Sequence, residues 1–390
     1  MSLENLGIKR LESVDFVVHD IDRSRAFYED KMDYRLVATS NPEYEEATGE
    51  RTMVFDAARV RVQCSSPRQD ADPSTSHAAK FLRSHPDGIR YVQFLVEDLD
   101  HTWKTLADRG ANIVGEPTGD DQRRAFSIAS PLGDVEYAFV QKKDEAAVDS
   151  RLTAVAYDPA APTNRHGFTH MDHITSNTRD MRSLTNWYRD VLGFEHFWDI
   201  RFHTQDSNPD AVGSGLNSIV MRDPKSNVKF ATNEPLRPNF YGSQIQKYVE
   251  DNNGPGVQHV ALSTGKIMDV IPDMRQAGCK FLETPDAYYE MLPQRMAERE
   301  VENLKEDLED LRRNKILVDG ADNRYLLQIF MQEGSLLYDE VAAGPFFYEV
   351  IQRHGEQGFG EGNFRALFES IERQQTGETQ RTQDRPSLVN

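Results

Sequence analysis

The stretch Gly256-Val257-Gln258-His259-Val260-Ala261-Leu262 reads as a glycine-led strand with one histidine among apolar residues. Set beside Gly88-Ile89-Arg90-Tyr91-Val92-Gln93-Phe94, it has the same pattern, and the two run on into similar text: VEDLDHTWKTLADRGANIVGEP after the first, STGKIMDVIPDMRQAGCKFLETP after the second. The chain therefore contains a repeat, and a repeat fixes the architecture before any single residue does. One copy carries His259 where the other carries Tyr91, so the sequence supplies its own control.

Outward from these two stretches, each copy reads as strand, helix, three strands, then the same again. In the first copy residues 11–19 form a strand and Asp20 caps a helix over 21–32. Strands follow near 35–39, 52–56 and 59–63, then a loop at 65–76 and a helix near 78–84. The strand 89–96, a helix 98–109 ended by Gly110, and strands near 124–130 and 134–141 complete it. A polar, alanine-rich stretch, 142–165, is the linker. The second copy starts at Phe168, with a helix over 179–191 ended by Gly193 and strands near 194–203, 216–222 and 227–232. A helix near 243–251 precedes the His259 strand, and strands near 324–331 and 345–353 follow. Short helices between strands predict an α+β fold of curved mixed sheets with helices outside. The expected domains are 1–150 and 151–390. The second copy also holds an insertion, 286–314, in which Val301, Leu304, Leu308 and Leu311 are spaced as the apolar stripe of one charged surface helix, which could also serve a partner. A glycine-rich turn, 355–362, then leads into an amphipathic helix, 363–375.

The bulk numbers exclude some functions. Among 390 residues, 64 are acidic and 45 basic, a formal charge of -19 that disfavours nucleic acid as a partner. No apolar run reaches the length of a membrane span. The first residues, MSLENLGIKR, lack an apolar core of a signal peptide, and the two cysteines, Cys64 and Cys279, have no metal-site spacing. A cytoplasmic protein is expected.

Three positions separate the copies. With SVDFVVHD laid over HMDHITSN, Phe16 stands at His173; Tyr91 stands at His259; and with GDVEYAFVQK over GPFFYEVIQR, Ala138 stands at Glu349. The second copy thus gains two imidazoles and a carboxylate, the donor set of the facial triad that leaves coordination positions open on Fe(II). Each residue alone has a plainer reading, as a hydrogen-bonded core histidine or a paired carboxylate. An unpaired Glu349 between aromatic and aliphatic neighbours would cost several kcal/mol, on the order expected for a buried charge, so it calls for a partner or a metal. A zinc hydrolase could use the same donors, and a metal-free binding protein of this fold is the alternative outside catalysis.

At this point a family resemblance enters. The linked set GVQHVALST, ATNEP, SQIQKYVE, KILVDG, YLLQIF, FFYEVIQR and GFGEGNFRALFESIE resembles the 4-hydroxyphenylpyruvate dioxygenase family of the vicinal oxygen chelate superfamily, most specifically over 168–375. The resemblance implies two tandem domains of paired βαβββ modules (the glyoxalase and bleomycin-resistance type), the first vestigial and serving packing and oligomer formation, the second catalytic. It implies Fe(II) on His173, His259 and Glu349. It also implies polar substrate contacts from Ser218, Asn233, Gln244, Gln258 and Gln328, and aromatic ones from Phe330, Phe359 and Phe364. Asn363 and Leu367 would sit on the helix 363–375 as a lid. The implied reaction takes 4-hydroxyphenylpyruvate, a 2-oxo acid, and O2 to homogentisate and CO2 in tyrosine catabolism, in a homo-oligomer, dimer or tetramer. A 4-hydroxymandelate synthase-like enzyme, or a dioxygenase of another 2-oxo acid, with the same site is the alternative. Two departures bear on the substrate. The family usually reads Pro-Ile-Asn-Glu-Pro where this chain has Ala231-Thr232-Asn233-Glu234-Pro235, and the segment between Phe330 and Glu349 is longer than the family's.

Overall fold

The computed structural model describes residues 3–158, 163–203, 215–236, 242–360 and 362–363. In it the repeat becomes two mixed sheets. The first is built from β1 (Ile8–Val17), β2 (Arg35–Thr39), β3 (Glu50–Ala57), β4 (Val60–Pro67), β5 (Gly88–Val96), β6 (Thr118–Gly119), β7 (Arg123–Ala129), β8 (Glu136–Lys142) and β9 (Thr153–Ala154). The second is built from β10 (Phe168–Asn177), β11 (Glu195–His203), β12 (Gly215–Arg222), β13 (Lys229–Pro235), β14 (Gly256–Thr264), β15 (Leu317–Ala321), β16 (Arg324–Phe330) and β17 (Phe347–His354). Their orders are β6-β7-β8-β5-β1-β4-β3-β2-β9 and β11-β12-β13-β10-β14-β17-β16-β15. In each, the first strands of the two modules pair antiparallel at the centre (β1 with β5, β10 with β14), flanked by parallel pairs, β1 with β4 and β5 with β8, β10 with β13 and β14 with β17. These are the paired βαβββ modules expected.

The register corrects one pairing of the copies. β1 slips against β5 at Ile8/Arg10, Leu11/Ser13 and Asp15/Phe16, and β10 slips against β14 at Phe168/His170, Met171/His173 and Thr175/Ser176. Matching these irregularities places Ser13, not Phe16, at His173. In agreement, Ser13 faces Arg61 across the parallel pair as His173 faces Lys229. The other two pairings hold, because Tyr91 is bonded opposite Asp15 as His259 is opposite Thr175, and Gln93 faces Ala138 as Ala261 faces Glu349. The contrast between copies survives as Ser, Tyr and Ala against His, His and Glu. In the first copy the space is taken by a polar chain: Ser13 Oγ and Gln93 Nε2 donate to Asp15 at 3.0 and 2.8 Å, and Arg123 donates to Gln93 at 3.1 Å. Burial pushes the Asp15 carboxyl up to about 6 against those bonds.

The two helices after the first strands are shorter than expected. Each closes in a π turn, Phe27–Lys31 after Ile21–Ala26 and Tyr188–Leu192 after Arg182–Trp187. Asp20 caps the first through Arg23 N–H, and Gly193 ends the second at φ +76°, a conformation that glycine adopts without a Cβ penalty. The π turns place Tyr28 and Tyr188 at matching points of the seam between the halves. Tyr28 bonds Tyr348 across it at 2.9 Å and Tyr188 bonds Tyr137 at 2.5 Å, all four rings buried in one continuous core that includes residues of both halves. Tyr28→Phe leaves the Tyr348 hydroxyl without its partner. It should lower unfolding free energy by about 1–2 kcal/mol, read from the urea midpoint, and Tyr188→Phe should do the same at the equivalent contact.

The insertion differs from expectation. It forms two helices, Asp286–Glu298 and Leu308–Asn314, with Val301 and Leu304 in the non-helical chain between them. Val301 and Leu311 are buried, and Leu304 and Leu308 pack on the main core, so this apolar stripe is consumed inside the protein and offers no partner face. A helix over Pro42–Thr48 was not expected; it buries no residue and so leaves no apolar periodicity. β9 lies in the predicted linker and pairs with β2. The segment between Phe330 and Glu349 crosses to the first half: Asp87 N–H donates to the Ala342 carbonyl, Arg23 pairs with Glu340, and Phe346 meets Phe16 edge-on at 4.6 Å.

Candidate metal centre

Three central strands of the second sheet carry the expected donors to one point. His173 comes from β10, His259 from β14 and Glu349 from β17, and all three are buried, Glu349 to 1 % exposure. The Nε2 atoms of His173 and His259 lie 3.3 and 3.4 Å from the same atom, Glu349 Oε2, and the three ligand atoms fall within 4.8 Å of one another. Glu349 Oε1 is buried with no hydrogen-bond partner. Burial opposes the charge on Glu349, yet the two imidazoles outweigh it and hold its carboxyl below the ordinary value. At His173 burial is likewise outweighed, by Glu349 and Asp172, and the imidazole is raised; at His259 burial wins and lowers it. A carboxylate with one orphaned oxygen, faced by two imidazole nitrogens, is the chemistry of a cation site, and the donor set fits a divalent metal.

Each histidine is held by its neighbour in sequence. Asp172 Oδ1 is 2.9 Å from His173 Nδ1, and Gln258 Oε1 is 3.1 Å from His259 Nδ1. In both cases Nε2 is left free to face the centre. Gln258 is in turn bonded by its Nε2 to Gln244 Oε1 at 3.2 Å. Gln244 and Gln258, expected at the substrate, are thus joined to His259 itself.

The remaining expected residues fall into three groups. Ser218 and Asn233 face one another across β12 and β13, and Ser218 Oγ and Asn233 Oδ1 are buried without partners. Phe330 is the register partner of Glu349 and meets His259 at 5.9 Å; Phe359 meets His173 edge-on at 4.6 Å; Gln328, two residues before Phe330 on β16, is buried. Asn363 is engaged elsewhere, 2.6 Å from the Tyr288 hydroxyl on the inserted helix. Phe364 and Leu367 lie outside the described residues, as does the lid helix 363–375 beyond its first residue.

Several residues at the centre were not anticipated. Phe347 stacks on His259 at 5.1 Å and Trp198 on Phe359 at 5.9 Å. Asn177 Oδ1 accepts from Asn233 at 3.0 Å, while its own Nδ2 is unpartnered. Arg353 grips both oxygens of Asp172 at 2.7 Å, so that despite burial this carboxyl is held well below its ordinary range. The repeat held a signal for this pair: Glu12 and Lys142 occupy the matching positions and are also ion-paired.

The chain resembles known proteins over most of its length. The family model described as Glyoxalase/Bleomycin resistance protein/Dioxygenase superfamily matches twice, over residues 10–134 and 170–292. A 4-hydroxyphenylpyruvate dioxygenase of Danio rerio is 34% identical over 372 residues, covering 93% of this chain and 89% of the relative. One of Dictyostelium discoideum is 34% identical, covering 93% and 97%. Among solved structures, a triple mutant of 4-hydroxymandelate synthase from Streptomyces coelicolor superposes with a TM-score of 0.77 over 95% of this chain and 99% of that one, at 23% identity, which speaks to the fold.

Proposed function

The chain belongs to the glyoxalase/bleomycin resistance protein/dioxygenase superfamily and, within it, to the 4-hydroxyphenylpyruvate dioxygenase family, and from that premise we propose that it is an Fe(II)-dependent enzyme converting 4-hydroxyphenylpyruvate and O2 to homogentisate and CO2. The observation that carries the reading is the meeting of two imidazole Nε2 atoms on a buried glutamate whose second oxygen has no partner. Three protein ligands and no cysteine suit Fe(II), and bound there the metal would supply redox chemistry with positions left open for a 2-oxo acid and O2.

The protein's own groups do the rest. Phe330, Phe347 and Phe359 wall the centre with apolar rings, which excludes water from a reactive oxidation. Ser218 and Asn233 offer unpartnered polar atoms on one side, and Gln328 a neutral amide on another, so a substrate can be oriented without adding charge. Gln244 acts through Gln258 on the aim of His259. The reading assigns 1–150 to a metal-free structural half and 151–390 to the catalytic half. It further assigns a homo-oligomer working in the cytoplasm, in keeping with two free, buried cysteines and with no described helix long and apolar enough to cross a membrane.

The test is product identification. Protein loaded anaerobically with Fe(II), given 4-hydroxyphenylpyruvate and then O2, should release homogentisate, identified by mass and retention time. Hydroxymandelate would overturn the assigned product in favour of benzylic hydroxylation, and no product from iron-loaded protein would overturn the substrate. Asn233→Ala should raise KM more than about tenfold by removing a polar contact in a buried pocket.

A further inference from the structure

We propose that Asp172 and Arg353 are positioning residues for the metal centre, fixing the orientation and basicity of the ligand His173. The proposal rests on the metal reading of the same site but adds a device of its own.

The geometry is a relay of three groups. Arg353 Nε and Nη2 each lie 2.7 Å from an oxygen of Asp172, the two-pronged arrangement that fixes a carboxylate in both position and plane. Asp172 Oδ1 then lies 2.9 Å from His173 Nδ1. With a proton at Nδ1, Nε2 faces Glu349 with its lone pair. The neighbouring side chains can meet because the strand slips register between Met171 and His173. Carboxylates on the far nitrogen of a metal-bound imidazole fix its tautomer and make it a stronger donor.

Arg353 also acts from the other side. Its Nη1 donates to the carbonyls of Glu356 at 3.0 Å and Gly358 at 2.7 Å, and so sets the course of the chain into Phe359, whose ring lies on His173. One cation thereby secures the imidazole through its hydrogen bond and through its packing. The Asp172 side chain is 7 % exposed and that of Arg353 12 %, so water screens the pair only in part.

The first half shows what the relay adds. There Glu12 pairs with Lys142 at matching strand positions, and Arg61 stands where Lys229 stands, but the residue after Glu12 is Ser13. The ion pair is therefore common to both halves as a structural element. The second half differs by a shorter acid, a forked cation and an adjacent imidazole. His259, by contrast, is held by the neutral amide of Gln258, so the two imidazoles are given unequal donor strength.

The test uses Co(II) in anaerobic titrations of the full chain, with the ligand-field spectrum and the metal-free melting temperature as further readouts. Asp172→Asn should weaken Co(II) binding about 10–100-fold and alter the spectrum. Glu12→Gln, which breaks the matching pair in the first half, should lower the melting temperature yet leave affinity and spectrum as in the wild type. If Asp172→Asn proves unable to fold, Arg353→Lys keeps the charge, loses the fork and should weaken binding in the same direction. Unchanged affinity and spectrum in the folded Asp172 or Arg353 variant would overturn the proposal, and so would an equal loss of affinity in Glu12→Gln, which would make the effect one of stability. Wild-type protein that binds no Co(II) would instead overturn the metal reading beneath it.

Discussion

His259→Ala abolishes metal retention and turnover, and Tyr91→Ala leaves metal content at the wild-type level: this is the expected result of exchanging equivalent positions in the two halves. Among the described residues His259 would be one of three donors to the proposed metal, and its Nε2 shares Glu349 Oε2 with His173. Without it one imidazole and one carboxylate remain, and the loss of affinity should exceed the roughly 10–100-fold typical when only a partner of a ligand is removed. Tyr91 sits on the equivalent strand with Ser13 and Ala138 at the other two positions, a set with neither imidazole nor carboxylate. Elemental analysis of both variants after anaerobic loading checks the prediction. Equal loss of metal from both would mean that the halves are not related in the way the strand registers indicate.

The second large effect is on stability and falls in the first half. Glu12 is buried, and its carboxylate receives Lys142 Nζ, whose side chain is 2 % exposed, with Arg61 also near at 3.7 Å. Burial already lowers the Lys142 ammonium below its usual value, and Glu12 opposes that shift. Glu12→Gln removes the counter-charge shared by Lys142 and Arg10 and leaves Lys142 with the Glu145 carbonyl, at a cost of about 3 kcal/mol. Denaturant unfolding should show the loss in full. A change below about 1 kcal/mol would mean that water reaches this pair and that the charge is not buried as described.

How far the sequence carried this account depended on what each feature leaves in the text. Most of the strands and the three candidate donors were legible because the repeat sets one copy against another, and because a glutamate in an aromatic strand has no ordinary home, whereas β6, β9 and β15 were not read from the sequence. The counterpart of His173 was misplaced by matching Asp15 to Asp172. Both are acidic, yet the true counterpart of Asp172 is Glu12, and only the bulges in β1 and β10 reveal it. Val301 and Leu304 have helical spacing but belong to the chain between two helices, since spacing cannot distinguish one helix from a turn that reaches the same core. Gln244 and Gln258, implied as substrate contacts by the family resemblance, are also linked by hydrogen bonds to the Nδ1 side of His259, a connection that the text of the sequence does not show. Arg353 was passed over because a lone arginine after FFYEVIQ carries no signature until its charge is compared with Lys142 in the other copy.

The central claim is one iron site per chain, in the second half alone. Anaerobic Fe(II) titration of the wild-type protein, followed by removal of loosely held metal and elemental analysis, tests it most directly. The account predicts one Fe(II) per chain, lost in His259→Ala and retained in Tyr91→Ala. Two ions per chain, or none, would contradict it.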